Sequence, residues 1–224
     1  PGRRLKSIDQ YPDSPMNQDQ ARFNMVEQQI RTWEVLDKAV LNALMHIKRE
    51  DFVPADCQEM AYADTEIPLP HGQAMLPPRI DARLANDLAL TGQESVLEIG
   101  TGSGYLTALL AQRARQVLSL EVHADLAQLA QRHLAQAGIA NAQVRAQDGS
   151  MGAASEGPFD AIVLGGSVSE VPQGLLDQLA MGGRLIAIVG EEPVMQTTLF
   201  TRVGPQSWQT KVLWDTIAPL LQGF

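Results

Sequence analysis

The segment Val96–Tyr105, which reads VLEIGTGSGY, constrains the fold more than any other part of the chain. Its apolar run carries one acid, Glu98. The glycines that follow stand at alternate positions: Gly100, Gly102 and Gly104. A helical pattern of apolar residues then begins at about Leu106. Because glycine lets a backbone approach a ligand closely and a helix N-terminus follows directly, this order predicts a strand, a tight binding loop and a helix start.

The spacing of this loop favours a methyl donor over a dinucleotide. Dinucleotide-binding loops read G-x-G-x-x-G, whereas this loop reads G-x-G-x-G with Glu98 two residues before Gly100. A carboxylate there would repel a pyrophosphate and attract a cation. S-adenosylmethionine (SAM) carries an ammonium and a sulfonium, so we interpret the loop as a SAM site, with a purely structural turn as the alternative. The candidate cofactor residues in the loop are Glu98, Gly100, Thr101, Gly102, Ser103 and Gly104.

A second predicted strand, 116–121, ends in another acid, Glu121. It lies 23 residues after Glu98, and in such folds an acid about 20 residues past the glycine loop binds the ribose hydroxyls. Glu121 and its neighbour Val122 are therefore candidate cofactor residues. The alternative for Glu121 is a structural place beside the start of the predicted helix 123–137.

A third predicted strand, 142–146, leads into Asp148-Gly149. Asp148 has a carboxylate that could accept a hydrogen bond from the exocyclic amine of adenine, so both residues are candidate cofactor ligands. An ordinary Asp-Gly turn is the alternative. A fourth strand is predicted at 159–164, and Asp160 within it is expected to be structural.

Composition excludes several classes of protein. The 224 residues are 45% hydrophobic, which suffices for one α/β domain. No apolar run approaches the roughly 20 residues that cross a bilayer, and the net charge of -9 argues against nucleic acid. The single cysteine, Cys57, allows no internal disulfide and favours a cytoplasmic protein in which it fills apolar space. The dispersed histidines predict no metal site.

We predict a disordered lead-in over residues 1–15 and one domain over 16–224, divided into a helical and loop-rich extension (16–94) and a SAM-binding core (95–224). Helices are predicted at 19–33, at 37–47 with Asp37 as N-cap, and at 79–90. The first would place Phe23, Val26 and Ile30 on one apolar face. Between the last two helices lies a proline-rich stretch, residues 49–78. Ordered irregular segments of this length are more often functional than not.

After residue 95, strand and helix patterns alternate as far as Val189, with a short helix at 175–179 and a strand at 184–189. This alternation predicts a mostly parallel sheet with helices on its faces. Two more strands, 195–203 and 208–215, are separated by Gly204-Pro205, a hairpin signal. The predicted fold is a three-layer α/β, Rossmann-like SAM-dependent methyltransferase with an antiparallel C-terminal strand pair and an N-terminal helical extension.

Several segments resemble the protein-L-isoaspartate O-methyltransferase family, from about Val26 to the C-terminus. The helical extension and the Val189-Gly-Glu block make the resemblance specific, because the glycine loop alone marks only a SAM methyltransferase. The segments that carry it are Leu41–Leu44, Arg49–Val53, Leu69–Pro78, Val96–Tyr105, Asp148-Gly149, Pro158–Ile162, Val171-Pro172, Leu179–Leu185 and Val189–Glu192. The resemblance implies SAM as cofactor and isoaspartyl residues of damaged proteins as substrate, with Glu98 and the glycines holding the methionine part, Glu121 the ribose, and Asp148 with Gly149 the adenine.

One segment departs from the family. Where the family carries a threonine and a serine over the substrate, this chain has Ala74 and Leu76, so both hydroxyls are missing. The catalytic residue is thus unassigned. The substrate-binding candidates are Asp64, Gln73, Leu76 and Arg79. Arg79 could pair with a carboxylate through two hydrogen bonds or lie on the surface at a helix start, and Asp64 could instead cap a loop.

Three functions remain open on the sequence. The first is isoaspartyl carboxyl methylation, and the second is methylation of another acceptor, either a small molecule or a different protein. The third is non-catalytic SAM binding. No nucleic-acid or membrane partner is expected, and the sequence does not specify an oligomeric state.

Overall fold

The computed structural model describes residues 17–224. The predicted lead-in, residues 1–15, lies outside the described residues. Within them, no helix is long and apolar enough to cross a membrane.

A seven-stranded sheet forms the centre of the molecule. Its strands are β3 (Ser95–Ile99), β4 (Gln116–Glu121), β5 (Ala142–Ala146), β6 (Phe159–Val168), β7 (Leu179–Glu191), β8 (Val194–Gly204) and β9 (Ser207–Thr216). They lie in the order β5-β4-β3-β6-β7-β8-β9. The pairs from β5 to β7 are parallel, and β8 and β9 are antiparallel. The predicted fold class, including the C-terminal strand pair, is confirmed.

The order of the strands creates a crevice between β3 and β6. The chain proceeds outward from β3 to β4 and β5, then returns to place β6 on the other side of β3. Open α/β sheets bind ligands at this reversal, outside the carboxyl ends of the strands. The glycine loop lies there, since it directly follows Ile99, the last residue of β3.

Helices cover the sheet unequally. They are α1 (Gln18–Asn24), α2 (Lys38–His46), α3 (Pro78–Asp87), α4 (Tyr105–Ala111), α5 (Ala124–Gln136) and α6 (Gln173–Leu176). A pair of two-residue strands, β1 (Ile67–Pro68) and β2 (Ala74–Met75), lies in the proline-rich stretch. The helices α2 to α5 pack in the larger core cluster, whereas the short α6 and the C-terminal residues help to cover the opposite face.

Strand β3 shows how sequence alternation divides the core. Successive side chains of a strand point to opposite faces, and Val96 belongs to the cluster of α2 to α5 while Leu97 and Ile99 belong to the other. Glu98 shares the face of Val96, which directs its carboxylate toward α4. The acid of the glycine motif is therefore placed inside the core.

The first helical stretch corrects one prediction. Residues 18–33 are helical, but α1 is followed by a π-helical segment, Met25–Ile30, and a 3₁₀ turn, Arg31–Trp33. Val26 and Ile30 are buried as predicted, whereas Phe23 is 48% exposed. The wider π turn rotates Phe23 out of line with them, and Met25 occupies the buried place instead.

Other boundaries differ by a few residues. Asp37 caps α2 by accepting a hydrogen bond from Ala39 N at 2.7 Å, as predicted. β6 continues through Gly165 and Gly166 to Val168, beyond the predicted end at Leu164, and α6 starts at Gln173 rather than 175. Pairing with β7 extends β6, because Ser167 and Val168 align with Ile188 and Val189. The division of the chain at residue 95 stays a prediction.

Candidate active site

A cavity lies at the carboxyl ends of β3 and β6, where the loop after β3 meets the segment before α3. It encloses about 50 Å³. Its lining includes predicted cofactor and substrate residues as well as residues that the sequence did not single out. The complete lining is Gln73, Ala74, Met75, Leu76, Asp81, Gly100, Thr101, Gly102, Ser103, Tyr105, Leu106, Glu121, Gly165 and Leu221. Some residues of each predicted half of the site therefore line one cavity.

The glycine loop is held open by backbone conformations that suit glycine. Gly100 has φ +90°, and Gly104, the N-cap of α4, has φ +88°. A Cβ on Gly104 would lie 3.1 Å from the Cβ of Ala130 in α5. A Cβ on Gly100 would lie 2.6 Å from Cδ2 of Leu221 and 3.8 Å from Cα of Gly165. The loop thus lies close to β6, α5 and the C-terminal segment at once.

Glu98 lies beneath the loop rather than on the cavity lining. It is fully buried, and its Oε2 accepts a hydrogen bond from the Thr107 hydroxyl at 2.5 Å. No described residue donates to its Oε1. Burial raises the pKa of Glu98 to about 8, although the nearby hydroxyls of Ser119 and Thr107 oppose the shift. Its role as a cofactor ligand stays a prediction, supported by this unpartnered oxygen.

Glu121 lines the cavity at the end of β4. Its Oε2 accepts from Gly102 N at 2.9 Å, and its Oε1 accepts from His123 N at 3.0 Å. The side chain therefore supports the loop and lies beside the start of α5, as its structural alternative predicts, and its role as a ribose ligand stays a prediction. Its neighbour Val122 is 43% exposed.

Asp148 and Gly149 follow β5 and lie farther along the same edge of the sheet. Gly149, Val122 and Glu121 line a smaller recess of about 20 Å³ with Leu221 and Gln222. Asp148 accepts from Ser150 N at 2.9 Å, which is the turn geometry anticipated as its alternative. Gly149 and Glu121 therefore share this recess, and the adenine role of Asp148 and Gly149 stays a prediction.

The C-terminal segment covers this region and was not anticipated. Ser167 of β6 receives it, because Ser167 N donates to Pro219 O at 2.8 Å and Leu221 N donates to Ser167 O at 2.9 Å. Leu221 then lies over Gly100, and Gln222 Oε1 is 2.8 Å from Nε2 of His123. Leu221 and the glycine loop therefore line the same cavity.

The substrate candidates separate into two groups. Gln73 and Leu76 line the cavity beside the glycine loop. Asp64 and Arg79 do not line it but form a salt bridge with each other, and the Arg79 guanidinium carbon lies 4.6 Å from the centre of the Trp33 ring. This arrangement matches the surface alternative for Arg79, whose substrate role stays a prediction.

Sequence reasoning missed Asp81, Tyr105, Gly165 and Leu221 in the lining. Asp81 had a detectable signal: it lies three and four residues before Leu84 and Ala85, on the face of α3 that is buried. An acid on such a face needs a partner or a role. Leu221 had none, because only the tertiary fold brings the C-terminus to the glycine loop.

The residues present fit SAM. The loop around Gly100 provides the close backbone approach, Glu121 supplies a carboxylate beside it, and Glu98 retains an unpartnered oxygen. Among residues 17–224, no group of three or more metal-ligating side chains occurs.

Comparisons with known proteins agree with this site. The family model for Protein-L-isoaspartate(D-aspartate) O-methyltransferase (PCMT) matches residues 20–217. A protein-L-isoaspartate O-methyltransferase of Koribacter versatilis is 39% identical over 91% of this chain and 92% of its own. One from Methylorubrum populi is 41% identical over 92% of this chain and 97% of its own.

A similar solved structure contains S-adenosyl-L-homocysteine, the product that SAM leaves after methyl transfer. A putative protein-L-isoaspartate O-methyltransferase from Plasmodium falciparum, in complex with S-adenosyl-L-homocysteine, superimposes with a TM-score of 0.75. It is 25% identical, over 92% of this chain and 98% of that one. The chain belongs to the protein-L-isoaspartate(D-aspartate) O-methyltransferase family of SAM-dependent methyltransferases.

Proposed function

We propose that this chain methylates the α-carboxylate of isoaspartyl residues in damaged proteins, and that the ester then closes to a succinimide as the first step of repair. The single cysteine, Cys57, which has no disulfide partner, suits a cytoplasmic setting for this activity. One observation carries the proposal: Gln73 and Leu76 of the acceptor segment line the same cavity as the loop Gly100–Ser103. A methyl donor on the loop would therefore meet an acceptor on the segment.

The chemistry asks little of the side chains. SAM supplies an electrophilic methyl group, which the acceptor oxygen takes while the carbon–sulfur bond breaks and its electrons stay on sulfur. A carboxylate has a reference pKa of about 4, so it is ionised near neutral pH and needs no general base. Positioning and exclusion of water are sufficient.

The residues of this chain provide both. Glu121 holds the loop through Gly102 N–H, which fixes the donor side. Arg49 holds the acceptor side, because its Nη2 donates to the carbonyl oxygen of Leu76 at 2.6 Å. Leu76 and Leu106 add apolar walls to the cavity. The segment is thus held through its backbone and enclosed by apolar side chains, without the family's two hydroxyls.

The alternatives of a different acceptor and of non-catalytic SAM binding have weaker support. The relatives that cover most of the chain carry the isoaspartyl name. The replacements Ala74 and Leu76 remove orienting donors, but both residues still line the cavity beside the glycine loop.

Methyl transfer from labelled SAM tests the proposal. Two peptides of one sequence would be compared, one with isoaspartate and one with normal aspartate, and base-labile methyl ester would be counted. The proposal expects label on the isoaspartyl peptide alone. Absence of label, in a preparation shown to bind SAM, would refute it, and equal label on both peptides would show a different specificity.

A further inference from the structure

Asp81 places a carboxylate in the acceptor part of the cavity. It lies in the first turn of α3 and lines the cavity together with Ala74 and Leu76. Its side chain is only 5% exposed. Neither Ala74 nor Leu76 has a polar side-chain atom. The polar side chains beside them in the cavity lining include those of Asp81 and Gln73.

A buried arginine fixes the orientation of this carboxylate. Arg49 is fully buried, and its Nη1 donates to Asp81 Oδ2 at 2.9 Å while its Nη2 holds the Leu76 carbonyl. The guanidinium carbon also lies 4.6 Å from the centre of the Tyr105 ring. No hydrogen bond from the described residues reaches Asp81 Oδ1, so this oxygen is free to accept one from a molecule in the cavity that Asp81 lines.

An ionised carboxylate only accepts hydrogen bonds. It therefore cannot replace the missing hydroxyl donors toward an acceptor carboxylate. It suits the other group on the same carbon atom, because the α-carbon of an isoaspartyl residue carries a nitrogen as well as the carboxylate. That nitrogen is an amide N–H within a chain and an ammonium at an amino terminus.

Resting on the proposed function, we propose that Asp81 is a specificity-determining residue that accepts a hydrogen bond from the nitrogen beside the methylated carboxylate, and that it favours isoaspartyl residues whose nitrogen is a free ammonium. Hydrogen bonds between charged partners are roughly twice as strong as neutral ones. We expect a preference of roughly tenfold in kcat/KM for the ammonium form, on that basis.

Two peptides that differ by one acetyl group test this assignment. Both begin with isoaspartate, one with a free amine and one N-acetylated, so that acetylation converts the ammonium to an amide N–H. The wild-type chain should prefer the free amine, mainly through a lower KM. In Asp81→Asn the amide oxygen should pair with Arg49 and the NH₂ should face the cavity, so the preference should disappear or reverse.

The control is Asp215→Asn, which removes an exposed carboxylate on β9 that does not line the cavity. It should keep the wild-type preference. Thermal unfolding and affinity for S-adenosylhomocysteine would show that Asp81→Asn is folded and binds cofactor. An equal rate on both peptides, or an unchanged preference in Asp81→Asn, would overturn the role of Asp81 and leave the proposed function standing. No transfer to either peptide would also overturn the role of Asp81, while the labelled isoaspartyl peptide described above tests the proposed function separately.

The wild-type chain offers a second measurement that needs no variant. Burial raises the pKa of Asp81 to about 6, although Arg49 opposes the shift. The other ionisable groups around it are Glu98 and Tyr105, whose pKa values are also raised by burial, and Glu121 on the cavity lining. A peptide α-amine has a pKa of about 8. The preference for the free amine should therefore be largest between about pH 6 and pH 8 and decline on both sides, and a pH-independent ratio would contradict the assignment.

Discussion

The carboxylate of Glu121 accepts a hydrogen bond from the backbone N–H of Gly102 at 2.9 Å. This bond joins the end of β4 to the loop after β3, so the acid that would hold a ribose also supports the loop that would hold the methionine part. Because its other oxygen accepts from His123 N, the carboxylate is fixed in position without a cofactor.

Replacing Glu121 with alanine should weaken binding of S-adenosylhomocysteine by roughly ten- to a hundredfold, the loss expected for one or two charged hydrogen bonds. Calorimetric titration measures this directly. Glu156→Ala is the control, since Glu156 pairs with Arg145 on the surface and not in the cavity. Equal affinities of the two variants would contradict the assignment of Glu121.

The residues around Glu121 show how far the sequence could predict the site. The order of apolar runs, acids and glycines predicted Glu121 and the loop Gly100–Ser103 near each other, and all of them line the cavity. Local pattern suffices there because parallel strands end at one edge of the sheet.

The acceptor half was less predictable, since it depends on contacts between distant segments. Asp64 and Arg79 bind each other rather than line the cavity, whereas Asp81, which the sequence did not single out, does line it. The buried pair of Asp81 with Arg49 joins residues 32 positions apart, and Leu221 reaches Gly100 from the C-terminus. No periodicity in the sequence encodes these contacts.

Restoring a hydroxyl at Leu76 should raise isoaspartyl activity. Leu76→Ser returns the family's donor to a side chain that lines the cavity and whose backbone Arg49 already fixes. The expected increase in kcat/KM is about ten- to a hundredfold, from about 1–3 kcal/mol for one buried hydrogen bond.

The assay should be run well below the unfolding temperature, because removing a buried leucine side chain costs about 2–5 kcal/mol. Leu36→Ser is the matched control, since Leu36 is 71% exposed, and it should leave the rate unchanged. A fall in activity of Leu76→Ser without loss of cofactor binding would mean that the apolar wall itself is needed.

Removing Arg49 should destabilise the fold. Arg49→Met leaves the carboxylate of Asp81 buried without its partner, which typically costs about 3–5 kcal/mol. Urea unfolding would measure the change. The double variant Arg49→Met with Asp81→Leu should recover part of the loss, because the uncompensated charge is gone. A double variant no more stable than the single one would argue against the ion pair as the cause.

Glu98 should make stability depend on pH in the cofactor-free protein. Its pKa rises from 4.5 in the unfolded chain to about 8 in the fold, because it is buried. Below pH 4.5 both states are protonated, so there is no penalty; between about pH 4.5 and 8 the unfolded state loses its proton first, and the free energy of unfolding falls. Glu98→Gln should therefore become progressively more stable than the wild type across this range, as urea unfolding would show. A difference that does not change with pH would contradict the buried, neutral state of Glu98.

In our proposal, the repair of isoaspartyl residues starts in the cavity between the glycine loop and the acceptor segment. The most direct measurement follows an isoaspartyl peptide by chromatography during incubation with the chain and SAM. We predict that the isoaspartyl form declines and the normal aspartyl form appears, only when SAM is present. An isoaspartyl peptide that stays unchanged while the chain binds SAM would contradict the account.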